Sequence, residues 1–91
     1  MAGRLKFRGR VRFFRPEQAS GLAVVDIPDH VTAALGGLKQ MRVCGAINGA
    51  DFASNTMPAG NRKLALSVSK AMLKSAGLSV GDAAEIEVER V

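Results

Sequence analysis

From Arg4 to Phe13 apolar and charged residues alternate: Leu5, Phe7, Val11 and Phe13 fall on one face, Arg4, Lys6, Arg8, Arg10 and Arg12 on the other. A period of two marks a strand with one buried face and one wet face. The stretch PEQASG that follows has turn chemistry, and LAVVDIP is a short apolar run of the kind found in a strand covered on both faces. Pro28 and Asp29 suit a first helical turn, and Val31, Ala34 and Leu35 fall at helical spacing. Gly36 and Gly37 end that helix, since glycine accepts the left-handed conformation favoured at helix C-termini.

Alternation returns in MRVCGAI, with Met41, Val43, Gly45 and Ile47 on one side, and runs into Asn48-Gly49, the strongest short hairpin signal. The returning strand passes through Phe52 to about Thr56. After Met57 and Pro58 comes a loop holding Gly60, Asn61, Arg62 and Lys63, and LALSV then reads as a second covered strand. Ser69 is a natural N-cap for a helix whose Met72, Leu73 and Ala76 face inward and which Gly77 stops. Gly81-Asp82 turns the chain into a last strand, where Ala84, Ile86 and Val88 alternate with Glu85, Glu87 and Glu89.

Residues 22–47 and 64–90 repeat one order: covered strand, short helix, Gly-Leu, alternating strand. About six strands and two short helices in so short a chain predict a mainly β fold, a small closed or nearly closed barrel capped by the helices. Closure removes the unpaired edges that a small open sheet would expose.

The chain has 91 residues, expected to form one domain over 1–91, because a second core would leave each too small to offset its ordering entropy. One cysteine, Cys44, cannot make an internal disulfide and argues against a disulfide-built secreted scaffold. No apolar run is long enough for a signal peptide or a membrane span, so a cytoplasmic location is expected. Thirteen Lys plus Arg against eight Asp plus Glu give +5 and a pI near 10.2, a balance that suits a polyanionic partner.

VDIPDHV (25–31), VCGAINGADF (43–52), MPAGNRKLALSVSKAM (57–72) and GLSVGDAAEIEVE (77–89) together resemble the bacterial family catalogued as domain of unknown function 1905. The resemblance covers nearly the whole chain and implies a fold, a double-split β-barrel capped by helices, without implying a reaction. That fold is similar to the swapped-hairpin DNA-binding domains of bacterial transition-state regulators and antitoxins, in which two chains build one barrel. Here both halves lie in one chain, so a monomer can close the barrel. Fold-level analogy is a poor warrant for function.

Two sets of residues are candidate sites. Arg4, Lys6, Arg8, Arg10 and Arg12 span about 27 Å of strand and could follow a phosphate backbone; the sequence favours pairing of this row with Glu85, Glu87 and Glu89 instead, whose period matches. Aromatic interleaving is lacking, because Phe7 and Phe13 fall on the opposite face and Phe14 breaks the alternation. Gly60, Asn61, Arg62 and Lys63 could present main-chain N–H groups and two cations to a small anion, but without the ending or context of a P-loop. Backbone geometry explains that loop as well.

His30 and Cys44 have no second His or Cys to build a metal site with; His30 could serve Cys44 or a serine as a base, but nothing in the sequence brings them into contact. Asp26, Asp29, Asp51 and Asp82 fall at turns or helix starts, where carboxylates cap main-chain N–H groups. No catalytic residue, metal or cofactor is therefore assigned. The expected role is a non-enzymatic binding module for nucleic acid or a small anion, with a protein-docking domain as the alternative.

Overall fold

The alternation that opens the chain becomes β1, Leu5–Phe13, the first of six strands. The computed structural model describes residues 4–15 and 22–91; the PEQASG turn lies outside the described residues. The remaining elements are β2 (Ala23–Ile27), α1 (Asp29–Leu35), β3 (Arg42–Ile47), β4 (Ala50–Pro58), β5 (Leu64–Val68), α2 (Lys70–Ala76) and β6 (Ala83–Arg90). They close a barrel in the order β1-β2-β5-β4-β3-β6, every pair antiparallel. The mainly β, helix-capped barrel that the sequence and the resemblance imply is the fold observed.

Closure depends on the two nine-residue strands. β1 pairs with β6 over Leu5 to Arg10 and with β2 over Val11 to Phe13. β4 likewise pairs with β3 over Ala50 to Asn55 and with β5 over Thr56 to Pro58. Each long strand thus serves two sheets, and the barrel is split where its partners change. The repeat seen in the sequence therefore reaches further than 22–47 and 64–90: β1-β2-α1-β3 is answered by β4-β5-α2-β6. β4 also runs two residues past Thr56, because Pro58 still pairs with Leu64.

The interior is mainly aliphatic, with Phe7 and Phe52 also buried: Val11, Val25, Val43, Ile47, Leu64, Leu66, Ile86 and Val88 are inaccessible or nearly so. Val31 and Leu35 of α1 and Met72 of α2 join the same cluster. Each such side chain contributes about 1.5–3 kcal/mol through removal from water. Val24 and Ala65, which alternate to the other face of β2 and β5, are also buried, as a covered strand requires.

Local chemistry fixes the turns. Asn48 and Gly49 take successive positive φ angles of 47° and 83°, the two-residue hairpin that suits strand twist. The Asn48 turn is also tied to β6: its N–H donates to the Glu85 carbonyl and its Oδ1 accepts from the Glu85 N–H, both at 2.8 Å. Gly45 is required sterically, since a Cβ there would run into the Glu87 carbonyl. Ser69 accepts a hydrogen bond from the Met72 N–H at 3.1 Å and caps α2, which Gly77 ends in the left-handed conformation. Among the described residues no helix is long and apolar enough to cross a membrane.

Candidate functional site

The Val11 N–H donates to Asp82 O (2.9 Å) and its carbonyl accepts from the Gly81 N–H (2.8 Å), so Val11 turns its main chain toward β6. Main-chain direction alternates along a strand, which sends the polar groups of Arg10 and Arg12 toward β2. Arg12 stands opposite Val24 there, but the pairing ends at Val11 and Val25, one step before Arg10 and Asp26 would meet. Beyond that point β1 follows β6 while β2 follows β5. Gly9 sits at the parting, where a Cβ would lie 2.5 Å from Val25 Cγ1.

The parted strands and the β4–β5 loop enclose a groove of about 540 Å³. Arg8, Gly9, Arg10 and Arg12 line it from β1, Asp26 and Ile27 from β2 with Pro28 after it, and Ala59, Gly60, Asn61 and Lys63 from the loop. Two candidate sets some fifty residues apart in sequence thus face one another. Among the described residues four cations and one carboxylate line the groove.

Each cation is held in place. Arg8 pairs with Glu85, both side chains 71% exposed, a contact worth little in water. Arg10 donates to the Gly81 carbonyl, a neutral partner, at 2.9 Å. Arg12 makes two 2.8 Å hydrogen bonds to Asp26 and donates to the carbonyls of Phe13 and Phe14. Hydrogen bonding from Arg12 holds the Asp26 carboxyl below its ordinary pKa against the opposing effect of burial, and raises the Arg12 value in return. Lys63 reaches Asp29 of α1 at 3.1 Å.

The loop serves geometry and chemistry together. Gly60, Asn61 and Arg62 have successive φ angles of 81°, 53° and 59°. The chain closes with Ala59 N–H to Lys63 O at 2.9 Å and Lys63 N–H to Gly60 O at 3.0 Å. Glycine and asparagine adopt that conformation readily; an arginine does so at a cost of about 1–2 kcal/mol. Gly60, Asn61 and Lys63 line the groove, whereas Arg62 is exposed and is not among its lining residues. The two loop cations therefore do not converge there.

The rest of the basic row lies outside. Arg4 pairs with Glu89 at 3.1 Å, and Lys6 stands opposite Glu87. Lys6 and Arg8 line a second depression of about 380 Å³ with Glu85, Glu87 and the Asn48-Gly49 turn, where the charges balance. Cross-strand pairing with the β6 glutamates thus holds Arg4 and Arg8, while Arg12 takes Asp26.

Two aspartates differ from expectation. Asp26 lies within β2, its carboxylate on Arg12 and not on a main-chain N–H. Asp51 lies within β4, exposed, past the hairpin turn. Asp82 does accept from the Ser79 N–H at 2.9 Å, as a turn aspartate should. His30 is exposed on α1, and Cys44 is half-buried on β3 opposite Ala53 and Glu89. Among the described residues no three His, Cys, Asp or Glu side chains cluster as metal ligands would.

Comparison with known proteins fixes the family. The family model described as Domain of unknown function (DUF1905) matches residues 7–88, from the first buried residue of β1 to the last of β6, and the chain belongs to that family. No curated protein matches it.

Proposed function

We propose that this member of the DUF1905 family is a binding module, not an enzyme, and that the β1–β2 split is where it holds phosphate groups of an anion or nucleic acid. The carrying observation is the convergence of Arg8, Arg10, Arg12 and Lys63 on one groove, with Asp26 the one lining carboxylate among the described residues. Arg10 matters most, because its partner among the described residues is a neutral carbonyl, which an incoming phosphate can replace.

The test is fluorescence anisotropy of a labelled single-stranded oligonucleotide and a labelled duplex at several salt concentrations. Four groove cations on a single strand predict a log–log salt slope of about −3. Arg10→Ser with Lys63→Ser should weaken binding and flatten that slope by about half. Binding that the double variant leaves unchanged would remove the groove from consideration.

A further inference from the structure

The basic row does not end at Arg12. The Phe14 N–H donates to the Leu22 carbonyl at 2.7 Å, which carries the β1–β2 register one step beyond Phe13 and Ala23. Phe14 lies one residue past the end of β1, and continuing the strand's alternation through this hydrogen bond gives it the parity of Arg10 and Arg12, about 6.8 Å past the last arginine. Arg12, which lines the groove, donates to the Phe14 carbonyl at 3.4 Å and physically joins the two. The ring is half-buried, the Arg15 guanidinium lies 5.8 Å from its centroid, and Leu22 opposite is 42% exposed.

From this we infer that the groove takes a single-stranded nucleic acid, with phosphates along Arg8, Arg10 and Arg12 and one base stacked at Phe14. The inference rests on the phosphate-binding reading of the groove and adds a base to it. A phosphate row that ends in an aromatic ring is the arrangement that holds an unpaired strand: the cations track the backbone, and the ring offers a face that any base can use. The neighbouring Arg15, whose guanidinium lies over that ring, adds a cation beside the stacked base. Duplex DNA keeps its bases stacked within the helix and cannot present one to this ring without unstacking it.

The experiment uses three unlabelled competitors of equal charge: an oligothymidine, the same chain without bases, and linear inorganic polyphosphate. Each is titrated against the wild-type protein, Phe14→Ala and Phe14→Trp. Phe14→Ala should weaken oligothymidine binding on the order of 5- to 100-fold and leave the two base-free chains unchanged. Phe14→Trp should keep the affinity, and its fluorescence should be quenched by oligothymidine alone. Equal loss on all three competitors, or on none, would overturn the stacked base while leaving the groove reading standing. If none of the three binds the wild-type protein, the groove reading falls first and this inference with it.

Discussion

Arg12 and Asp26 face each other diagonally across the β1–β2 pair, two residues off direct register, and are joined by two parallel 2.8 Å hydrogen bonds. They stand where the strands begin to part, so the contact both pins the mouth of the groove and supplies its lining carboxylate. With side chains 38% and 52% exposed, the pair contributes about 0.2–1 kcal/mol to stability.

Asp26→Asn should therefore have opposite effects on folding and binding. Chemical denaturation should show a loss of no more than about 1 kcal/mol. Polyphosphate affinity should rise several-fold, since Arg12 is released and one repelling charge is gone; an affinity that falls would place Asp26 on the ligand's side.

Acid should reveal the same pair. The folded-state pKa of Asp26 is lowered from its ordinary value near 3.8 by hydrogen bonding from Arg12. Its contribution is then complete above that ordinary value and disappears as pH falls through the lower, folded value. Thermal melts across the acid limb should show a steeper loss for the wild-type protein than for Asp26→Asn; identical slopes would mean the pair is not formed in solution.

Arg62→Gly should stabilise the fold by up to about 1–2 kcal/mol, because glycine relieves the left-handed φ of 59°. Anion binding should stay nearly constant, as Arg62 is not among the lining residues. A large loss of affinity would show that Arg62 swings inward when ligand binds.

Thr56 is fully buried; its hydroxyl donates to Lys39 O and accepts from the Met41 N–H, each at 3.0 Å, and so latches the loop after α1 onto β4. Thr56→Val keeps the shape and orphans both partners, which should cost about 1–3 kcal/mol by denaturant titration.

Gly45→Ala should be harsher, at about 3 kcal/mol or more, since the added methyl group meets the Glu87 carbonyl inside the barrel wall. A soluble, native-like spectrum for this variant would mean that β3 and β6 cross less closely than described.

Elements with local signatures were legible in the sequence: the Asn48-Gly49 hairpin, the Ser69 cap and the alternation of β1 and β6 each depend on neighbours within a few residues. The site was not, because it joins residues 8–12 to 59–63 through a barrel closure that no local pattern encodes. Asp26 illustrates the difficulty: its position in an apolar run marks it as unusual, but only the strand register names Arg12 as its partner. Phe14 was hidden differently. It has the parity of the arginines, yet two adjacent phenylalanines read as the end of a strand until the Leu22 hydrogen bond extends the register.

The most direct test of the shared groove is a titration of the isotope-labelled protein with inorganic tripolyphosphate, followed by amide chemical shifts. Amides of residues 8–12 and of 59–63 should move together and saturate with one dissociation constant. Shifts spread over unrelated exposed cations such as Lys39, Lys70 and Lys74, with no common saturation, would contradict it.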